Sequence, residues 1–225
     1  MKKLIEGALR FQDEVYLQQE KLYRNLAHSQ SPRWLFIACS DSRVVPSQLL
    51  QAGPGELFIC RNAGNIVPAH GDHSGGVSAT IEYAVQVLKV RHIIVCGHSD
   101  CGAMKAVLNP DLVAELPAVS SWIRYAQRAR AVVMETADGS KEEKLLERLT
   151  LENVLAQVDN LRTMPCVAAK LNAGTLEIHG WFYDIEHGRF QVWNFGRSQW
   201  RPLSELAESH QHDVRDVDSE VQSQV

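Results

Sequence analysis

The sequence predicts an α/β protein: an open, mostly parallel sheet with flanking helices, an N-terminal helical arm and a C-terminal antiparallel hairpin strand. Three observations carry that expectation. Trp34-Leu35-Phe36-Ile37-Ala38-Cys39, Leu57-Phe58-Ile59-Cys60 and His92-Ile93-Ile94-Val95-Cys96-Gly97-His98 are near-continuous apolar runs rather than alternating ones. A strand that is apolar on both sides is covered on both faces, which is the condition of a parallel sheet. Between the second and third runs, residues 74–88 place Val77, Ile81, Ala84, Val85 and Leu88 on one side of a helix, and strand–helix–strand alternation is the sequence form of right-handed crossovers. Residues 176–181 and 189–193 are apolar-rich and flank the turn pair His187-Gly188, the pattern of a hairpin.

The other elements follow in chain order. Residues 2–27 read as the helical arm, because Ile5 and Leu9, then Leu22 and Leu26, keep i, i+4 spacing with Lys, Glu and Gln between them. The arm carries both charge signs, which suits packing on its own domain or on a second subunit better than a membrane surface. Ser31-Pro32 breaks it before the first strand. Residues 122–134, rich in Ala and Arg, read as a helix, and Ser140-Lys141-Glu142-Glu143 is a capping box opening another. That second helix carries Leu145, Leu149, Val154, Leu155, Val158 and Leu161, and Pro165 ends the region. From about Ser204 the chain turns polar and acidic, so the expected organisation is one domain over residues 1–203 and a tail over 204–225, loosely helical or disordered.

Bulk properties narrow the function classes. A chain of 225 residues with 45% hydrophobic content builds one good core. A net charge of −4, with no clustered basic surface, argues against nucleic acid as a partner. The acidic Glu6 interrupts what a secretory leader would keep apolar, and no apolar run approaches the roughly 20 residues that span a bilayer. Five cysteines, an odd number set in apolar segments, read as reduced thiols. The expectation is a cytoplasmic protein without membrane association.

Chemistry concentrates in two segments, Cys39-Ser40-Asp41-Ser42-Arg43 and His98-Ser99-Asp100-Cys101. Together they offer two thiolates and one imidazole, the three-ligand set of a catalytic zinc site whose fourth position stays open. Cys39 ends the first predicted strand and His98 the third, the sheet edge where open α/β proteins bind ligands. Cys101 is expected in the first turn of the following helix. Two thiolates cancel the charge of Zn²⁺, so a water bound there keeps a relatively high pKa and activity favours mildly alkaline conditions. Asp41, clamped by Arg43, stays ionised and can only accept hydrogen bonds. It would orient a zinc-bound hydroxide toward an electrophile, or rotate onto the ion and close the site. Cys60, Cys96 and Cys166 have no such neighbours and read as core. His70 and His73 read as solvated loop residues, with proton shuttling as the alternative.

These two motifs resemble the signature of the β-class carbonic anhydrases. Supporting segments are Pro54-Gly55-Glu56-Leu57-Phe58, Arg61-Asn62-Ala63-Gly64-Asn65, Ile81-Glu82-Tyr83-Ala84-Val85, Glu152-Asn153-Val154 and His179-Gly180-Trp181-Phe182-Tyr183-Asp184. The resemblance implies one zinc per chain held by Cys39, His98 and Cys101, with Asp41 and Arg43 as the catalytic dyad. It implies reversible hydration of carbon dioxide to bicarbonate and a proton, by attack of zinc-bound hydroxide on the gas. In the plant-like subgroup the substrate pocket is lined by a Gln, a Phe and a Tyr, matched here by Gln30, Phe58 and Tyr83. That pocket lies at a subunit interface, so a homodimer, or a tetramer of dimer pairs, is expected. A second subgroup builds an allosteric bicarbonate site around a Trp three residues before the first zinc Cys. Phe36 stands there, which favours the plant-like subgroup and, among bacterial members, those associated with cyanate degradation. Two readings stand beside this one: a carbonyl sulfide or carbon disulfide hydrolase on the same scaffold, and a non-catalytic zinc-stabilised sensor.

Overall fold

The structure is a computed structural model that describes residues 1–72, 75–137, 139 and 141–206. His73, the capping-box Ser140 and the tail from residue 207 lie outside the described residues. Six strands form one sheet: β1 (Trp34–Cys39), β2 (Leu57–Asn62), β3 (His92–His98), β4 (Glu177–Asp184), β5 (Arg189–Asn194) and β6 (Gln199–Pro202). Their order is β2-β1-β3-β4-β5-β6. The first four are parallel, while β5 and β6 run antiparallel at one edge.

Two of the three continuous apolar runs, β1 and β3, do what that pattern demands; β2 lies at the sheet edge, where only Cys60 is buried and Ile59 is exposed. On one face of the sheet, Leu35, Ile37, Ile93 and Val95 meet Ile81, Ala84 and Val85 of the helix Gly76–Gln86 and Val154, Val158 and Leu161 of the helix Glu142–Thr163. On the other face, Phe36, Ala38, Ile94 and Cys96 pack with Val44 and Tyr183, under Trp34 and Trp181. Side chains alternate between faces with period two, so β1 and β3 are buried after their first residues, Trp34 and His92. Each fully buried Leu, Ile or Phe contributes about 1.5–3 kcal/mol. The helix Glu142–Thr163 lies close on the sheet because Gly97 and Gly180 leave it room. A Cβ on Gly97 would stand 2.8 Å from Val154 Cγ2, and one on Gly180 would stand 3.1 Å from Val154 Cγ1.

Several boundaries differ from the sequence expectation. The hairpin is β4 and β5, but β4 also pairs in parallel with β3, and the short strand β6 extends the sheet by one. Pro165 does not end helical structure; it occupies the first turn of a new helix, Pro165–Asn172, where its missing N–H is harmless. The helix expected over 122–134 is split into Pro117–Ile123, a 3₁₀ turn Arg124–Ala126, and Gln127–Glu135. The arm is helical from Lys2 to Leu26, with a π-helical segment at Phe11–Val15 and a break at Gln19. None of its helical residues is buried. Leu26 at the arm's end packs against Gly55, whereas Leu4, Ile5, Leu9 and Leu17 are half or more exposed and find no cover among the described residues. Cys60 and Cys96 are buried as expected, and Cys166 is partly so.

Candidate metal centre and active site

The chain leaves β1 for β2 on one side, then crosses back to β3 on the other, so strand order reverses between β1 and β3. The crevice beyond the carboxyl ends of those strands is where such a sheet can hold a ligand. Cys39 is the last residue of β1 and His98 the last of β3. Cys101 reaches the same point by a different route from the one expected. It is not in the first helical turn; it is the extended residue (φ −69°, ψ 120°) that precedes the helix Gly102–Leu108. Asp100, at φ +57°, makes the left-handed turn between His98 and Cys101.

The Sγ atoms of Cys39 and Cys101 and a ring nitrogen of His98 all lie within 4.8 Å of one another. The two sulfurs are 4.0 Å apart, and all three residues are buried. The His98 Nδ1–H donates to the Ser99 carbonyl at 2.8 Å. That bond fixes the tautomer and leaves Nε2 as a bare lone pair, buried and without a hydrogen-bond partner. An orphaned buried acceptor costs about 1–3 kcal/mol, and here it faces two sulfurs. The thiols share their ionisation: the hydrogen bond from Cys101, with the Gly64 N–H at 3.3 Å, brings Cys39 down to about 4, while the thiolate beside it, together with burial, pushes Cys101 up. One negative charge forms unaided. The second thiolate needs a cation, and two thiolates with a neutral imidazole match a divalent one. The donor set fits zinc.

Beside this triangle, Arg43 Nε donates to Asp41 Oδ1 at 2.9 Å and Nη2 to Oδ2 at 2.8 Å, a fork-to-fork pair. The Arg43 backbone N–H adds a bond to Oδ1 at 3.0 Å. This guanidinium holds the Asp41 carboxyl well below the usual carboxylate range. Arg43 is anchored in turn by Asp100, through Oδ2 at 3.0 Å and the carbonyl at 3.1 Å, and Lys105 grips Asp100 from its other oxygen. Asp41 Oδ2 lies 3.9 Å from His98 Nε2, so the carboxylate borders the ligand triangle. Arg61 ties the loop down by donating to the carbonyls of Cys39 (3.0 Å) and Asp41 (2.7 Å).

Sequence reasoning missed a set of polar residues behind the site. Asn153 and Gln157 are fully buried on the helix Glu142–Thr163. Asn153 donates to the Gly64 carbonyl at 3.0 Å, Gln157 Oε1 accepts from Val67 N–H at 2.8 Å, and Asn160 donates to the Val67 carbonyl at 2.8 Å. They fix the loop that aims the Gly64 N–H at Cys39. The signal was present as Asn153, Gln157 and Asn160 at i, i+4 and i+7 on an otherwise apolar stripe.

The three pocket residues do not gather at this point within one chain. Phe58 and Tyr83 pair with ring centroids 6.0 Å apart. Phe58 stands level with Leu35, whereas Cys39 is level with Asn62; four residues of strand separate the two levels, about 13 Å. Tyr83 is 45% exposed, and Gln30 lies exposed in the segment before β1.

Comparison with known proteins agrees with this geometry. The family model described as carbonic anhydrase matches residues 34–190. A carbonic anhydrase of Pseudomonas aeruginosa is 51% identical over 209 residues, covering 92% of this chain and 94% of that protein. Carbonic anhydrase 1 of Escherichia coli O157:H7 is 48% identical over 204 residues, covering 91% and 93%. Among solved structures, the β-carbonic anhydrase CcaA superimposes with a TM-score of 0.88 at 40% identity, over 90% of this chain and 91% of that one. One of two tetrameric β-carbonic anhydrases from Sordaria macrospora superimposes with a TM-score of 0.77 at 31% identity, over 85% and 95%. A Cys–His–Cys triangle at the switch point, a guanidinium-clamped carboxylate beside it and these likenesses lead to one conclusion: the chain belongs to the carbonic anhydrase family, in its β class.

Proposed function

We propose that Cys39, His98 and Cys101 hold one Zn²⁺ per chain and that Asp41 and Arg43 are the dyad serving it in the reversible conversion of carbon dioxide and water to bicarbonate and a proton. The single observation carrying the assignment is the buried, unpartnered His98 Nε2 facing two sulfurs. Zinc bound there supplies a Lewis acid that makes a coordinated water acidic enough to react near neutral pH, tempered by the two thiolates. The protein's part is orientation. Asp41, held ionised by Arg43, accepts a hydrogen bond at Oδ2 and so selects which lone pair of the nucleophilic oxygen faces the gas.

The substrate pocket is assigned to Gln30, Phe58 and Tyr83, contributed across a subunit interface. The separation of Phe58 from Cys39 along the strands supports a donation in trans, and so does the exposed apolar stripe of the arm. Aromatic rings keep such a pocket apolar enough for a nonpolar gas, and the Gln30 amide donates to a substrate oxygen. The assembly is a homodimer or a tetramer of dimers. Phe36, wholly buried edge-on against Trp181 at 6.4 Å, supports the plant-like subgroup over the bicarbonate-switched one, and a supply of bicarbonate to cyanate degradation is the matching role. No helix among the described residues is long and apolar enough to cross a membrane, and the proposed location is the cytoplasm. One domain spans residues 1–203, with 204–225 as a tail.

Stopped-flow hydration of carbon dioxide, run near neutral and in mildly alkaline buffer with zinc counted on the same sample, tests the assignment. Turnover with at least one zinc per chain, rising at alkaline pH, is expected. Cys101→Ser should lose most of the zinc and the activity together; full zinc content in that variant would refute the ligand set.

A further inference from the structure

We propose that His92, Glu177 and His179 form a second divalent-metal site, at the end of the sheet opposite the Cys39–His98–Cys101 centre. β3 begins at His92 and β4 at Glu177, and the parallel register sets these two residues side by side. His179 follows Glu177 by two positions, hence on the same face, paired with Ile94. The strands therefore bring two imidazoles and a carboxylate to one spot at their amino ends.

The distances identify what such a spot would hold. His92 Nδ1 and His179 Nε2 share a hydrogen bond at 3.3 Å, which an ion would replace, and Glu177 Oε2 lies 3.7 Å from each of those nitrogens. A triangle with those sides has its centre about 2.1 Å from every corner, the length of a zinc–imidazole or zinc–carboxylate bond. The two rings are hydrogen-bonded to each other, but Glu177 takes no part in that bond. A carboxylate that accepts from an imidazole N–H draws up to about 2.7–2.9 Å, as Asp184 does on His187 Nδ1 at 2.7 Å. Glu177 is instead equidistant from both rings and beyond hydrogen-bond reach of either. Two neutral nitrogens and one carboxylate oxygen suit a borderline first-row ion such as Zn²⁺ or Co²⁺, not Ca²⁺ or Mg²⁺, which want oxygen shells.

Access and room are also present. Both histidine side chains are 32% exposed and that of Glu177 is 69% exposed. A cavity of about 480 Å³, walled in part by Trp34, Ile94 and Trp181, opens on all three donors, leaving space for water ligands. A bound ion would pin the start of β3 to the start of β4. Because β3 ends in His98, the site would brace from behind the strand that carries a ligand of the catalytic centre.

Metal counting on the full chain, with the thiolate site already loaded, tests this. Co²⁺ titration should give a second bound equivalent whose spectrum lacks the thiolate-to-cobalt charge-transfer band of the first. His179→Ala should lose that equivalent and keep the first, with carbon dioxide hydration unchanged. Glu177→Gln alters an exposed side chain that the fold does not need, and should weaken the second equivalent at least tenfold. Zn²⁺ in excess should raise the melting temperature of the wild type and not of His179→Ala. A wild type that binds only one equivalent overturns the proposal, as does a second equivalent retained at full affinity by Glu177→Gln. The tail carries two further histidines, His210 and His212; loss of the second equivalent on replacing both by Ala also overturns the proposal, by assigning that ion to the tail.

Discussion

Arg43 meets Asp41 through two parallel hydrogen bonds, at 2.9 and 2.8 Å, and spends its remaining donor nitrogen on Asp100 at 3.0 Å. The carboxylate is thus fixed in plane and in charge, 3.9 Å from the imidazole nitrogen of His98. Neither residue has this geometry by chance of rotamer: each is held from a second direction, Asp41 by the backbone N–H of Arg43 and Arg43 by the carbonyl of Asp100.

Replacing Asp41 by Asn keeps the shape and removes the acceptor that Arg43 and the nucleophile need. Hydration of carbon dioxide should fall by about 100-fold or more, the usual scale for losing a positioned proton-handling group, while zinc content stays at the wild-type level. Stopped-flow rates beside metal analysis read this directly. Unimpaired turnover in the variant would rule out the orienting role.

The same pair sets a stability trend. Arg43 depresses the folded-state ionisation of Asp41 below its unfolded value of about 3.9. Its contribution is therefore complete at neutral pH and is lost as the pH falls through and beneath that value. Urea unfolding followed below about pH 5 should show the wild type losing stability more steeply than Asp41→Asn, with the two curves converging in strong acid. Parallel curves would mean that the pair forms no net interaction.

Gly97 precedes His98 directly beneath the helix Glu142–Thr163. A methyl group there would stand 2.8 Å from Val154 Cγ2 and 3.2 Å from Thr150 Cγ2, so helix or strand must move. Gly97→Ala should cost about 1–3 kcal/mol, the range for overpacking a tight core, and should loosen zinc, because the displaced strand ends in a ligand. A melting curve and a chelator competition would detect both; a melting point equal to wild type would show that the contact relaxes freely.

Gln157→Leu tests the polar network behind Cys39. It leaves the Val67 N–H buried without an acceptor and Asn153 Oδ1 without its donor at 2.9 Å, a penalty of about 1–3 kcal/mol. The loop carrying Gly64 should slacken and zinc should leave to a chelator several-fold faster. Unchanged release kinetics would confine the network to a purely structural role.

How much of this was legible in the sequence follows from range. The apolar runs of β1 and β3 announced burial on both faces, and Cys39 and His98 at their ends announced the site, because those signals are local and period-coded. β6 was not legible: four residues including Arg201 and Pro202 carry no apolar pattern, and pairing with Val192 and Trp193 decides their fate. Pro165 misled because proline stops a helix from within yet suits its first turn, and only the extended Met164 before it tells the two apart. The Asp100 turn that delivers Cys101 is a backbone conformation that no residue type in that motif specifies. The His92–Glu177–His179 juxtaposition was invisible for the plainest reason, since it depends on the register of strands far apart in the chain.

The arm gives the sharpest test of assembly. It carries Leu4, Ile5, Leu9 and Leu17, half or more exposed and with no partner surface among the described residues. Burying such residues is worth about 1.5–3 kcal/mol each, which a second subunit can supply. Asp at Ile5 and Leu9 places charge in that interface without touching the ligand triangle or the dyad. Light scattering should then report smaller particles. If Phe58, Tyr83 and Gln30 act across the interface, hydration should fall with dissociation while zinc stays bound, and raising the protein concentration should recover part of it. Monomers that keep wild-type activity would place the whole pocket within one chain, against the 13 Å or so that separates Phe58 from the level of Cys39 along the strands.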